Sequence, residues 1–237
     1  MIQPAAPPTD TPPKEPHVNQ LRHLDDQILL AVNSFARHTP TLHGPVLAYA
    51  TYGVVLFGAL LLAGLISARH RPSRDLAATG WAAIAMLAAL ALNQPLGHLF
   101  TERRPFLTHP GILRLADVTT DLSFPSDHAV MAGAVAIGLL LAHRRLGALA
   151  AIAALVMAFA RVYVAAHYPW DVLGGLLFGG LVAGLGWLLL RNPLTWLVAW
   201  MRALPGLRSV FTAPLPPQTA VDTTSEGTRR VPRPSAP

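Results

Sequence analysis

The chain has 237 residues, of which 52% are hydrophobic and only 13% charged, against about 25% charged in an ordinary soluble domain. With a mean hydropathy of +0.42, this composition excludes a soluble globule and a disordered chain and fits a polytopic membrane protein. The absence of cysteine excludes a disulfide framework, a thiolate nucleophile and a Cys-ligated metal, and the net charge of +6 is no nucleic-acid footprint, because it is carried by short arginine clusters between apolar runs.

Proline marks both ends. Residues 1–20 hold six of the 22 prolines and residues 204–237 hold seven. Neither stretch shows apolar periodicity, so both read as disordered tails around a membrane domain over 21–203. No basic stretch followed by an apolar core opens the chain, and no cleavable signal peptide is expected.

After the first tail, residues 24–37 form an amphipathic pattern. Leu24, Ile28, Leu29, Val32 and Phe35 share one face, with Asp25, Asp26 and Asn33 away from it. Two aspartates and an asparagine make a poor spanning segment, so an interfacial helix is expected, a sixth span being the alternative. Charge-free runs then decide the architecture, since a crossing helix needs about 20 residues. They extend from His38 to Ala68, Leu76 to Thr101, Ala129 to His143, Leu146 to Ala160 and Val172 to Leu190. The spacing predicts five transmembrane helices near 43–67, 76–100, 127–143, 146–165 and 171–190, an all-α helix bundle. The third and fourth runs hold 15 residues each, and they reach spanning length only if polar residues at one end sit in protein or at the headgroups. In the last helix Gly175, Gly179, Gly180 and Gly184 make a small-xxx-small pattern suited to close packing, or simply reflect the glycine common in membrane helices. Residues 192–204, with Trp196 and Trp200 between Arg191 and Arg202, read as a second interfacial piece.

Arginine in short loops sets orientation. Arg69, Arg71 and Arg74, then Arg144 and Arg145, then Arg191, Arg202 and Arg208 fall on one side, assigned to the cytoplasm. The loops 101–126 and 161–170 then face outward. They carry three polar clusters at helix ends: Thr101-Glu102-Arg103-Arg104-Pro105-Phe106; Ser123-Phe124-Pro125-Ser126-Asp127-His128; and Arg161 with His167 and Asp171. Packing of the second to fifth helices brings all three within reach of each other, which accounts for the two short apolar runs: their polar ends belong to a site.

Arginine offers a planar fork of donors that matches phosphate oxygens and stays charged, and a helix N-terminus, where Ser126 and Asp127 sit, also suits an anion. A histidine attacks phosphorus when its second ring nitrogen is held by a carboxylate. A second histidine can protonate the leaving oxygen, typically worth about 10²–10⁴-fold in rate. These clusters therefore read as metal-free phosphoryl transfer through a phosphohistidine, without a cofactor. A metal triad of His128, His167 and Asp171 is the competing use, opposed by the three arginines. Arg161 at the end of an apolar helix costs about 2.5–3.5 kcal/mol on insertion scales, which an anion partner or a membrane-surface position accommodates, the anion being the favoured reading. His38, His43, His109 and His143 stand outside any spaced motif and read as interfacial or loop residues. Arg114, Asp117 and Asp121 read as rim, Tyr168 and Trp170 as headgroup anchors, and Pro169 as the start of the last helix with Asp171 in its first turn.

The ordered set Arg104-Pro105, Pro125-Ser126-x-His128 and Arg161-x₅-His167-x₃-Asp171 resembles the type-2 phosphatidic acid phosphatase superfamily of membrane lipid phosphatases, over residues 42–190. The resemblance implies His167 as nucleophile, Asp171 as its orienting partner, and His128 as general acid and then base. It implies Arg104, Ser126 and Arg161 as phosphate ligands. Three positions depart from that pattern: the usual first-motif Lys is Gly97, with His98 and Arg103 as nearby replacements, the usual Gly before the motif histidine is Asp127, and the usual Ser before the motif arginine is Ala160. The segments around Glu102, Asp127 and Tyr168 are most similar to the bacitracin-resistance type of undecaprenyl-diphosphatase. That similarity implies hydrolysis of undecaprenyl diphosphate at the outer face of a bacterial inner membrane, recycling the lipid carrier of cell-wall synthesis, with Glu102 and Asp127 as accessory residues, simple pairing of Glu102 with an arginine being the alternative. The alternatives are another lipid phosphate, such as phosphatidate or phosphatidylglycerophosphate, and a non-catalytic anion-binding membrane protein. The expected partners are a lipid phosphate and the bilayer, not nucleic acid.

Overall fold

The computed structural model describes residues 16–205, all helix and connecting loop. The expected tails over 1–15 and 206–237, with Arg208, lie outside the described residues. Eight α-helices follow in order: α1 (Pro16–His38), α2 (His43–Tyr52), α3 (Val54–Ala68), α4 (Ser73–Phe100), α5 (Pro105–Thr108), α6 (Asp127–Leu140), α7 (Arg144–Tyr163) and α8 (Pro169–Ala203). Proline opens α1, α5 and α8, where its missing N–H costs nothing and its fixed φ already suits a helix.

The short α6 is the centre of the bundle. Its residues from Ala129 to Ala136 are all buried, and it packs against α3, α4, α7 and α8. In lipid, apolar surface is not driven from water, so close van der Waals approach has to hold helices together. Here glycine supplies it. A Cβ on Gly179 would collide with the Val130 carbonyl of α6, and one on Gly175 would lie 2.8 Å from the Ser126 carbonyl. The same test at Gly184 finds only ordinary contact, 3.7 Å to Ile137. Half of the glycine pattern is therefore a packing seam, and its distal end is not.

Several expectations change. The helix expected over 43–67 is two helices, α2 and α3, bent by 53°. The bend lies at Gly53, where a Cβ would meet the Tyr49 carbonyl at 2.5 Å and the Met157 side chain at 2.6 Å. The α4–α5 segment, α7 and α8 are long and apolar enough to cross a membrane, and the bent α2–α3 pair makes a fourth span if taken together. The helix expected over 127–143 ends at Leu140. At 14 residues it rises about 21 Å, short of the roughly 30 Å hydrocarbon core; its burial among other helices replaces contact with lipid. The last expected span and the separate interfacial piece are one 35-residue helix, α8, which continues through Pro193.

The expected interfacial helix starts eight residues earlier than expected and lies across one end of the bundle. Its ends reach the same layer of loops: Arg22 pairs with Glu102 at 3.6 Å, and Arg37 donates to the Gly111 carbonyl. Leu29 and Ala36 face inward, while Leu24, Ile28 and Phe35 are exposed. Asn33, expected on the polar side, is instead buried. Its amide donates to the Leu113 carbonyl at 2.7 Å and accepts from the Leu113 N–H at 3.0 Å. A docked loop satisfies the side chain that argued against burial.

At the opposite end the arginine clusters converge. Arg71 donates to the Ala142 carbonyl at 3.0 Å, and Arg202 donates to Ser73 Oγ and to the Arg69 carbonyl, each at 3.2 Å. The three basic regions thus share one end of the molecule, away from the polar clusters.

Candidate active site

Each side chain of the constellation is placed by a helix end. Arg104 is the residue before α5, Ser126 the residue before α6, His128 the second residue of α6, and Arg161 lies in the last turn of α7. His167 sits in the connection between α7 and α8. Asp171 is in the first turn of α8, where its carboxylate accepts the Tyr168 N–H at 2.8 Å and caps the helix. The turn before His167 is sharp, with Ala165 at φ 58°.

The result is a cavity of about 730 Å³ lined by Arg104, Arg161, His128, His167, Asp127 and His98, among others. His167 is 2% exposed and Arg104 8%. Both arginines reach the same ring nitrogen: Arg161 Nη2 lies 3.2 Å and Arg104 Nη1 3.4 Å from His167 Nε2. A guanidinium only donates, so Nε2 is the acceptor and the ring proton resides on Nδ1. That proton is donated to the Ser123 carbonyl, 2.8 Å away. The unprotonated nitrogen therefore faces the two cations. Burial pushes the His167 imidazole below the ordinary histidine range; Asp171 pulls against that, and Arg161 and Arg104 reinforce it.

Asp171, expected as the direct partner of His167, is 3.7 Å from Nδ1, beyond hydrogen-bond reach but close enough to bear on its charge. The Ser123 hydroxyl donates to the same carboxylate oxygen that accepts the Tyr168 N–H. Ser123 is fully buried and stands between the histidine and the aspartate. Sequence reading passed over it, although it sits three residues before Ser126 in the same polar cluster.

The remaining sites sort by contact. Ser126 is fully buried, and its Oγ has no partner among the described residues. Arg161 Nε is likewise buried and unpaired, while its Nη1 donates to the Ala50 carbonyl at 3.3 Å. Arg104 is held by the Asp121 carbonyl at 3.2 Å and the Ala166 carbonyl at 3.2 Å, so Asp121 is more than rim. Asp127 is exposed to the cavity and accepts from Asn93 at 2.7 Å and Gln94 at 3.3 Å. Neither amide had been singled out in the sequence. His98 lines the cavity and Arg103 does not. At Gly97 an added Cβ would stand 3.3 Å from the Phe124 carbonyl, so the loop crosses this position closely. Glu102 pairs with Arg22 instead of facing the cavity. His38, His43, His109 and His143, outside the motifs, bond away from the cavity: His38 to the Ser34 carbonyl, His43 to the Ala36 carbonyl, His109 to Asp26 and His143 to Arg71. Among the described residues, no three His, Asp or Glu side chains converge as metal ligands would.

Residues 78–194 match the PAP2 superfamily. The chain is 31% identical over 150 residues to undecaprenyl-diphosphatase BcrC of Bacillus subtilis, covering 63% of this chain and 76% of that protein. It is 30% identical over 161 residues to decaprenylphosphoryl-5-phosphoribose phosphatase of Mycobacterium tuberculosis, covering 67% and 86%. Among solved structures, Aquifex aeolicus LpxE superposes with a TM-score of 0.54 at 25% identity, over 68% of this chain and 92% of that one. The chain belongs to the PAP2 superfamily and is an integral membrane phosphatase of that family.

Proposed function

We propose that this PAP2 phosphatase hydrolyses undecaprenyl diphosphate to the monophosphate and inorganic phosphate at the outer face of a bacterial inner membrane. The observation that carries the reading is the unprotonated Nε2 of His167, facing the cavity between the Arg161 and Arg104 guanidinium groups. A nucleophile ringed by two cations is built for an anionic phosphorus centre. The likeness to BcrC supports a diphosphate substrate.

In the first step His167 Nε2 attacks the terminal phosphorus. An N–P bond forms, the anhydride P–O bond breaks, and the bridging oxygen leaves with its electron pair on the lipid monophosphate, with His128 supplying a proton. The Nδ1 proton stays on the imidazolium, opposite the Ser123 carbonyl. In the second step His128 takes a proton from water, the hydroxide oxygen bonds to phosphorus, and the N–P bond breaks to return a neutral His167 and inorganic phosphate. Arg104 and Arg161 hold the equatorial oxygens throughout, with the Ser126 hydroxyl as a further donor. Asp127, held by two amides at the cavity wall, sits where the second phosphate of a diphosphate has to be accommodated.

The site's position at the end opposite the arginine clusters supports an extracytoplasmic orientation. The likeness to a phosphatase of a polyprenyl-linked phosphosugar favours one second reading, a lipid-linked phosphomonoester substrate on the same residues. Phosphate release by the detergent-purified protein, in the presence of EDTA and beside His167→Ala, decides between them. Release from undecaprenyl diphosphate well above that from lipid phosphomonoesters, lost in the variant, supports the proposal. Preference for the monoester keeps the mechanism and discards the diphosphate. No turnover of either overturns the catalytic reading and leaves an anion-binding protein.

A further inference from the structure

We propose that Asn93 is a positioning residue of the phosphate site: its buried amide holds the Asp127 carboxylate off the Arg161 and Arg104 guanidinium groups and so keeps them open to the substrate's phosphate. This rests on the reading of the cavity as a phosphate site and deepens it.

Asn93 stands on a buried stripe of α4, in register with Ala85, Ala89 and Gly97, and is 4% exposed. Its neighbours on the stripe are small and apolar, and an amide among them is costly unless it is bonded. The Nδ2 of Asn93 donates twice, to the Asp127 carboxylate at 2.7 Å and to the Pro125 carbonyl at 3.1 Å. Both partners only accept, which assigns the nitrogen to that side. Its Oδ1 is buried with no partner among the described residues. A buried acceptor left unbonded works against folding, so the two donated bonds are what this amide is placed to make.

Asp127 opens α6 on the cavity wall, between Ser126 and His128. Its charge bears on both Arg104 and Arg161, yet among the described residues it forms no ion pair; Arg104 pairs with Asp121 instead, at 3.9 Å. Arg161 Nε is buried without a partner among those residues. A carboxylate that shares a cavity with two guanidinium groups and an idle donor is drawn to them. Asn93 opposes that pull from α4, and Gln94 adds a longer contact at 3.3 Å. Were the carboxylate to turn, it would take the donors that have to meet phosphate and compete with the substrate as an internal anion. In Asn93→Ala the shortest contact is lost and the site is closed for part of the time. Affinity falls by that fraction, whereas kcat holds at saturation, because bound substrate excludes the carboxylate.

The test compares the wild type, Asn93→Ala, Asp127→Ala and the double variant in detergent. The readouts are the Kd of inorganic phosphate by calorimetry and KM and kcat for undecaprenyl diphosphate, with thermal melts alongside. Asn93→Ala is expected to weaken phosphate binding and raise KM by about tenfold, as a site open one-tenth of the time does, with kcat little changed. In the Asp127→Ala background the same substitution is expected to change neither. Equal losses in both backgrounds overturn the inference and assign Asn93 to the Pro125 carbonyl and to packing. A fall in kcat with an unmoved phosphate Kd overturns it as well, and so does wild-type binding in Asn93→Ala. If the wild type binds no phosphate, the phosphate-site reading falls and takes this inference with it. If phosphate binds and the coupling is seen while undecaprenyl diphosphate is not turned over, the inference stands and the substrate reading falls. Should Asn93→Ala not fold, Asn93→Ser, whose hydroxyl is one bond shorter than the amide, takes its place in the same comparison.

Discussion

The carboxylate of Asp25 accepts a hydrogen bond from the backbone N–H of Trp170 at 3.0 Å. The contact joins the helix that lies across the bundle to the first turn of the helix that carries Asp171. It also places an acid among acids: burial pushes the Asp25 carboxyl up to about 7, the Trp170 N–H works against that, and Asp171, Asp26 and Glu102 add to it.

The pH dependence of α1 docking follows from that value. An acid whose folded pKa lies above its unfolded one binds more protons when folded, so stability falls as pH rises between the two values. For Asp25 the window runs from about 4 to about 7. Docking of α1 is expected to be tightest below that window and to loosen through it, levelling off above 7. Asp25→Asn, which still accepts from Trp170, is expected to remove the slope and hold α1 in place at neutral pH. Hydrogen exchange over residues 20–38, measured against pH in both proteins, checks this. A slope that survives the substitution rules Asp25 out as its source.

Arg161→Lys keeps the positive charge and loses the planar fork. The Nη2 contact to His167 and the Nη1 contact to the Ala50 carbonyl are made by different nitrogens of one plane, and an ammonium cannot make both. A loss of about 10²–10³-fold in kcat is expected, the scale of removing one preorganised donor from a developing anion, with the fold intact by circular dichroism. Near wild-type turnover would show that charge alone suffices.

Gly179→Ala and Gly184→Ala make a matched pair on α8. The first drives a methyl into the α6 backbone and the second meets only Ile137 at 3.7 Å. Gly179→Ala is expected to destabilise by about 1–3 kcal/mol or more, as overpacking does, and to lower activity by moving Ser126 and His128. Gly184→Ala is expected to leave both unchanged. Thermal unfolding in detergent measures the difference, and equal melting points would remove α6–α8 packing as the reason for glycine there.

Glu102 was expected to be an accessory residue, and the structure pairs it with Arg22, with 35% and 59% of their side chains exposed. An exposed pair of this kind contributes about 0–1 kcal/mol. Glu102→Gln is therefore expected to leave kcat and KM for the diphosphate near their wild-type values. A large fall in kcat would return Glu102 to the chemistry.

The class of protein and the gathering of these side chains at one end of the bundle were legible in the sequence for physical reasons. A bilayer demands long uncharged runs, and phosphoryl chemistry needs arginine and histidine, so both leave marks in composition and spacing. Arg104, His128, Arg161 and His167 meet in one cavity as their positions at helix ends required. What the chain pattern does not contain is the third dimension of contact. Hydropathy cannot distinguish lipid from a neighbouring helix, so it extended α6 beyond its 14 residues and missed the bend at Gly53, where the Met157 side chain comes close. Periodicity placed Asn33 toward water, because only the docked Leu113 backbone makes its burial tolerable. The spacing of His167 and Asp171 marks them as partners. Only the folded connection ahead of α6 inserts Ser123 between them and fixes which ring nitrogen carries the proton.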